Sequence, residues 1–541
     1  MLGARPWWLL LAAAATGCFF PDEGLEAPLD RIYFPTGLAL SPAGTRLYVA
    51  SSDFDLQFTG GSLLALDLDR VHRLVPRSCE QDAGCAGDER CDLEPTAENG
   101  GAPSRWCVKR DGSDAGRPCG ALGEQSAGER ILHPGRCRAV DLARPAGGGG
   151  SLVAGGVGIG AFASDVIYRS RPAAGDGSER PGGRLFIPVR GDATLTFIDV
   201  DDDSKSDSTG FELECGQSGA GNRCDDDHRR GDDPAEENTR GQRLPPEPYG
   251  VDATGDGTAI VVTHQTEGAA SLFVSDWGQN GELGSGPRLE FVLGGLPSRP
   301  VAVVAVPPSA SRGAEPTYEP TFLVTSRSSA EVRLLSYFDD AAASPARPFL
   351  ADRGGVAITA NALGFDSRGI AVDTSGRRRA EAACAGEPEG DAREACLDEA
   401  ANVALGVFVA NRAPSSLLAG QTRPGSDLPR AFDAQPLSFG PSRVVVGEII
   451  DRDGSPAVRV FVVCFDSRAI YVWDPVAREI EAVIETGRGP QPLVVDPRRG
   501  LGYVAHFTDS YVGVIDLDRR HPSYATIVLS VARPTPPRSS K

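Results

Sequence analysis

Lysine is almost missing from this 541-residue chain: Lys109, Lys205 and Lys541 are the only ones among 54 basic residues, and the rest are arginine. Such a bias reflects coding composition and carries no function. Methionine occurs once and histidine six times. Positive charge is outweighed by 74 acidic residues, which give a formal net charge of −20. That balance excludes nucleic acid and an anionic lipid surface as natural partners. After Cys18 no apolar run reaches the roughly 20 residues needed to cross a bilayer. Signature motifs are also missing. There is no C-x-x-C-H haem site, no G-x-S-x-G elbow, no H-E-x-x-H pair and no phosphate-binding Walker loop. These absences remove familiar enzymes, though not one assembled from scattered loop residues.

The N-terminus is informative. Arg5 precedes the apolar run Trp7-Trp8-Leu9-Leu10-Leu11-Ala12-Ala13-Ala14-Ala15-Thr16-Gly17, which ends at Cys18. The run is too short to span a membrane as a folded helix and has small residues before the cysteine. Ala15-Thr16-Gly17-Cys18 resembles the lipobox of bacterial lipoproteins. The resemblance implies a signal peptide over 1–17, cleavage before Cys18 and acylation of its thiol. The membrane partner is then reached through N-terminal lipid. By the same resemblance, Phe19 in place of Asp favours the outer membrane, facing either the periplasm or the cell surface. An ordinary secretory signal cleaved after small residues is the alternative.

Eleven further cysteines fit an exported chain. Six form one cluster: Cys79, Cys85, Cys91, Cys107, Cys119 and Cys137. Cys215 and Cys224 lie close together, as do Cys384 and Cys396. All ten are expected in disulfides, with the pairing inside the cluster left open. Zinc is disfavoured, because the cluster has no C-x₂-C spacing and holds only His133. Cys464, inside Val458-Arg-Val-Phe-Val-Val-Cys-Phe465, is expected to pack as a small hydrophobe.

The rest of the chain repeats one grammar: a Pro/Gly entry, a strand, a tight turn, a strand ending in a polar residue, and a third strand. The first copy runs Pro35-Thr-Gly-Leu-Ala-Leu-Ser-Pro-Ala-Gly-Thr-Arg-Leu-Tyr-Val-Ala-Ser51, then Ser62-Leu-Leu-Ala-Leu-Asp-Leu. Clear further copies open at Pro248 and Gly489; looser ones contain Arg184, Arg299, Gly369 and Arg459. The units are similar to the YVTN-type β-propeller repeat, approximated by Tyr48-Val-Ala-Ser and Tyr503-Val-Ala-His. That resemblance implies an all-β, about seven-bladed propeller over 31–531. Residues 18–30 then form a linker and 532–541 a tail. It also implies that the last apolar strand, Tyr524 to Val531, joins the first blade's sheet to close the ring.

Three insertions interrupt the repeats: a cysteine-rich one over 71–150 with a Gly147–Gly150 linker, an acidic one over 201–246, and a third over 376–404 that reads as a helical hairpin. Little core is expected from such polar stretches, which disulfides would constrain. Asp199-Val-Asp-Asp-Asp-Ser resembles the start of a calcium loop, but it lacks the glycine and the bidentate glutamate. It reads as a solvated acidic loop, and a surface calcium ion is the most it offers. No cofactor and no metal centre are expected otherwise. Gly156-Val-Gly-Ile-Gly-Ala161 matches a dinucleotide fingerprint formally, but it is followed by a strand where a helix is needed, and reads as backbone between strands.

Repeat alignment places Ser51, Arg190, His264, Ser326, Asn411, Phe465 and His506 at the ends of corresponding strands. Arg327, Arg412 and Arg468 follow closely, while Arg299, Arg368, Arg443 and Arg488 occupy blade entries. If both groups share a face, that face offers forked cations suited to a small anionic ligand. The binding set would be Arg190, His264, Arg327, Asn411, Arg412, Arg468 and His506. Pairing of these arginines with nearby aspartates is the competing reading. His264 and His506 are better explained as hydrogen-bonded rim residues than as metal ligands. The function expected is therefore a lipid-anchored binding scaffold for protein, glycan or a small anion. A lactonase-like hydrolase or an oxidoreductase-related enzyme is the alternative, and a structural envelope component the third.

Overall fold

The computed structural model describes residues 24–535 except 86, 94–104, 113–118, 120–121, 146–149, 174–179, 206–210, 218–221, 232–239, 279–283, 307–320, 359–364 and 424–426. Cys18, the signal segment before it and glycines 147–149 lie outside them.

Seven antiparallel sheets follow one another along the chain as the blades of a β-propeller, with inner strands Pro35–Leu40, Ile167–Ser170, Pro248–Ala253, Pro300–Ala305, Ser367–Asp373, Pro441–Ile450 and Pro490–Asp496 in blades 1 to 7. In blade 1 the strands are Pro35–Leu40, Arg46–Ser51, Gly61–Asp67 and Val153–Ile159, ordered from the axis outward. The first three strands of the last blade, Pro490–Asp496, Leu501–His506 and Tyr511–Asp516, match them unit for unit. The second strands are apolar on both faces because both faces are covered; Ala259–His264 and Leu501–His506 are buried throughout. Seven apolar clusters form the core, one in each seam between neighbouring blades. No blade can bury both faces alone, so the ring is the unit of stability.

Each blade opens with the same device. A residue at or just after the end of the second strand donates its amide to the carbonyl of a residue shortly before the first strand, at 2.8 to 3.2 Å in all seven blades. The acceptors are Phe34, Phe162, Glu247, Arg299, Asp366, Gly440 and Gly489. Six of these seven have left-handed backbone, including Arg299 at φ 62° and Gly489 at φ 68°. Glycine takes that conformation without cost and other residues do not. Arg299→Gly is therefore expected to raise stability by about 1 kcal/mol, read as a higher urea midpoint.

Closure differs from expectation. Thr526–Val531 is the outer strand of blade 7 itself and pairs with Tyr511–Asp516. Among the described residues no strand is exchanged with blade 1, because the chain from Pro490 to Val531 supplies all four strands of blade 7. The seam is held by side chains and by the 71–150 insertion. Val140 inserts beside Val531, giving its amide to Ser530 O at 2.8 Å and accepting from Ala532 N at 2.9 Å. Ser78 meets Ser523 at 2.6 Å, and His72 meets the Tyr503 hydroxyl at 2.5 Å. Val71, Val140 and Leu142 belong to the same apolar cluster as Tyr503, Val512 and Leu529. This insertion does contribute core, because its apolar residues are concentrated at its two ends.

The cysteines pair as Cys79–Cys91, Cys85–Cys107, Cys119–Cys137, Cys215–Cys224 and Cys384–Cys396. Cys464 is free and buried, and burial pushes its thiol up to about 12. The sulfurs of Cys79, Cys85 and Cys107 approach one another, but all three are oxidised and offer no thiolate to a metal.

Two segments are more ordered than their composition suggests. Gly156 to Ile159 belongs to the outer strand of blade 1 and is not loose backbone. Within 201–246, Leu213–Glu214 and Arg229–Arg230 both pair with the third strand of blade 2, and Cys215–Cys224 ties them together. The 376–404 segment folds as two helices, Ser375–Ala383 and Asp391–Ala401, joined by Cys384–Cys396.

Candidate functional site

Alternating strand direction gives the ring two faces. First strands begin and second strands end on one, here the entry face; the loops between first and second strands lie on the opposite one. The helical hairpin lies in such a loop of blade 5, so it stands on the opposite face from the aligned polar residues.

Register fixes the aligned positions. Opposite the first residue of each inner strand lie Ser51, Val189, His264, Ser326, Asn411, Cys464 and His506. Arg190 and Phe465 are thus one residue beyond the slot, because blades 2 and 6 end that strand in an apolar residue. Most of the slot's polar members hold their own blade's entry loop. Ser51 Oγ accepts from Tyr33 N at 3.3 Å. Ser326 Oγ donates to Pro297 O at 3.3 Å. Asn411 Oδ1 accepts from Asp366 N at 3.2 Å. His506 Nε2 accepts from Gly487 N at 3.2 Å, with its ring stacked 4.0 Å from Tyr511. His264 is bridged between Ser271 Oγ, at 2.8 Å, and the Pro246 carbonyl, at 3.3 Å. Burial lowers His264 to about 4 and His506 to about 3, so both are neutral. They stand in blades 3 and 7, too far around the ring to share an ion.

The rim arginines are engaged with carboxylates. Arg190 pairs with Glu247, Nε to Oε2 at 2.7 Å. Arg327 and Arg368 both reach Asp366 Oδ1, at 3.1 and 2.7 Å. Arg412 pairs with Asp466, and Arg488 Nε reaches Asp509 Oδ2 at 3.1 Å. Most of these carboxylates stand in an entry loop or a turn of the same face, so local sequence supplies each fork with its anion. Among the described residues no ion pair joins Arg299 or Arg468.

The axis carries the most specific feature. Counting along the inner strands from the entry bulge, one slot reads Gly37, Asp165, Gly250, Ala302, Gly369, Arg443 and Pro492. Small residues are needed where inner strands converge: a Cβ on Gly250 would lie 2.5 Å from Val301 O, and one on Gly37 2.7 Å from Val166 N. Blades 2 and 6 place charges there instead. Arg443 Nη1 meets Asp165 Oδ2 at 2.7 Å between two non-adjacent blades. Burial pushes the Asp165 carboxyl up, and Arg443 pulls it back toward ionisation. The cavity beside them measures about 40 Å³. That holds a water molecule or two and no organic ligand.

The acidic loop is not solvated as expected. Asp203 is only 3 % exposed and accepts from the Tyr48 hydroxyl at 2.9 Å; burial raises its carboxyl. Asp199 is held by Arg184, and Asp202 by Lys205 at 2.8 Å. Its carboxylates are therefore divided between three partners and do not converge on a calcium site.

Two features escaped the sequence. A cleft of about 540 Å³ opens where the insertion meets the C-terminal segment, lined among others by Gln125, Glu129, His133, Arg138, Asp141 and Arg533. No repeat encodes it, since it joins residues about 400 positions apart. The other is an aromatic group on the entry face. Phe54 packs against Phe34 at 6.0 Å, Phe162 at 6.0 Å and Phe507 at 5.2 Å, drawing on blades 1, 2 and 7. The recurrence of phenylalanine beside the entry position, at 34, 162 and 507, is the signal that would have found it.

No protein-family model and no curated protein sequence matches the chain. Solved structures match at low identity. A "putative 6-phosphogluconolactonase" from Bacteroides uniformis is 13 % identical, covering 84 % of this chain and 86 % of that one, with a TM-score of 0.41. Hydrazine synthase from Kuenenia stuttgartiensis is 10 % identical over 92 % of this chain and 100 % of that one, with a TM-score of 0.41. Apo AztD from Citrobacter koseri is 13 % identical over 54 % and 75 %, with a TM-score of 0.30. At these values the likenesses add nothing on activity.

Proposed function

We propose that the protein is an extracytoplasmic binding scaffold, held at the outer membrane by lipid on Cys18, that engages a protein or glycan and catalyses no reaction. One observation carries this reading: the ring's polar side chains are occupied in building the ring. Most polar slot residues pin entry loops, five of the rim arginines meet carboxylates, and Arg443 with Asp165 blocks the axis. A small anion at the channel mouth would have to displace those carboxylates. Recognition then falls to broad surfaces, such as the disulfide-joined hairpin of blade 5. The five disulfides support an oxidising compartment.

The test uses photo-crosslinking from the whole lipidated protein in its own envelope. Probes at Arg393 and Asp398 of the hairpin are expected to give discrete adducts. Lactone turnover by purified protein, lost on Arg327→Glu or Arg412→Glu, would replace this reading with the hydrolase one.

A further inference from the structure

We infer that the entry face rests on a zwitterionic lipid surface, with Phe54, Leu56 and Phe439 seated among the headgroups; this rests on the lipid-anchor reading above.

The exposed large apolar residues are unevenly distributed. Leu25, Phe54, Leu56, Phe365 and Phe439 all lie on the entry face, Phe439 at 68 % and Phe54 at 53 % exposure. Among the described residues the others are Leu428, Val476 and Val483, and none is aromatic. Aromatic side chains favour the membrane–water boundary, where an apolar ring meets headgroups. Phe54 is also fixed in place, since its ring is held by phenylalanines of three blades. Arg190, Arg327, Arg368, Arg412 and Arg488 on this face bring their own carboxylates, which leaves Arg299 and Arg468 as its arginines without an ion pair among the described residues.

The chain path turns this face toward the membrane. Leu25 bridges to Phe58 beside the Phe54 turn, and Thr59 N donates to Leu25 O at 2.9 Å. Cys18 stands six residues before Gly24, a reach of about 20 Å at full extension. A lipid there holds the entry face close to the bilayer and leaves the hairpin of blade 5 pointing away. The net charge of −20 selects against anionic lipid.

Flotation with phosphatidylcholine vesicles tests this on the chain from Phe19 onward, which carries neither the apolar segment 7–17 nor the acyl site. It is expected to float, less so as phosphatidylglycerol is added. The triple variant Phe54→Ser, Leu56→Ser, Phe439→Ser is expected to lose at least tenfold in vesicle partition, and Val476→Ser to lose none. Phe439→Ser alone serves if the triple variant unfolds, with a smaller loss expected. A parent that stays in solution, or variants that partition like it, overturns the inference. Mass spectrometry of the mature N-terminus tests the anchor separately. An acylated terminus with unchanged variants rejects the docking alone. An unacylated terminus with Phe54-dependent flotation rejects the anchor alone.

Discussion

Arg184→Ala is expected to cost about 3–5 kcal/mol, among the largest effects of any single substitution in this ring. Arg184 is fully buried at the seam of blades 2 and 3. Its Nε and Nη2 grip Asp199 at 2.6 and 3.2 Å, and its Nη1 donates to Ser275 Oγ at 2.8 Å and to Asp276 O at 3.0 Å. The guanidinium lies 5.0 Å from the Phe197 ring and 4.9 Å from the Trp277 ring. Truncation leaves the Asp199 carboxylate without its counter-charge and opens a void between two aromatic rings. Removing both charges is different. Arg184→Met with Asp199→Leu is expected to recover most of the loss, because two uncharged side chains have no desolvation cost to offset. Urea denaturation of the two single variants and the double variant measures the coupling. A single variant within 1 kcal/mol of wild type would contradict this assignment.

Acid is expected to have the second large effect. His264 and His506 are held at about 4 and about 3 when folded, chiefly by burial, against about 6.5 in an unfolded chain. The unfolded state therefore binds more protons below pH 6.5, and stability falls as pH falls through that window toward the folded values. Each histidine removes up to about 1.4 kcal/mol per pH unit there, on the order of 2 kcal/mol by pH 5. Asp53 acts in the opposite direction. Burial raises its carboxyl to about 7, so its contribution is present in acid and is lost as pH rises from about 4 to about 7. Thermal midpoints between pH 8 and 4.5 are expected to drop steeply below 6.5, and His506→Gln is expected to flatten the fall. An equal slope in both proteins would show that His506 is not the group involved.

Much of the ring was legible because its grammar is local. Alternation, Pro/Gly entries and tight turns recur every blade, and each blade buries the same slots. The seven units follow from segments such as Tyr48–Ser51 and Tyr503–His506, without knowledge of distant contacts. Other features were not local. The Arg443–Asp165 pair joins positions 278 apart that are neighbours only once the circle exists. The seam contacts of Val140 lie inside a stretch dominated by polar residues. Burial of Asp203 under Tyr48 gives no local sign, since Asp201-Asp-Asp reads as solvated until blade 1 covers it. The buried Arg184 did have a signal. Arg46, Arg184 and Arg459 each lie in the first half of a second strand, and each stands across from an aspartate, namely Asp67, Asp199 and Asp474. In blades 2 and 6 that recurrence marks an inter-strand ion pair by the same comparison that aligned the rim.

The self-sufficiency of blade 7 has a consequence for how such a chain can change. Here units 2 to 7 are each continuous in sequence and complete in hydrogen bonding. An in-frame duplication of one of them would yield a wider circle with every strand still mated, and only the bridging segment at the junction would have to stretch.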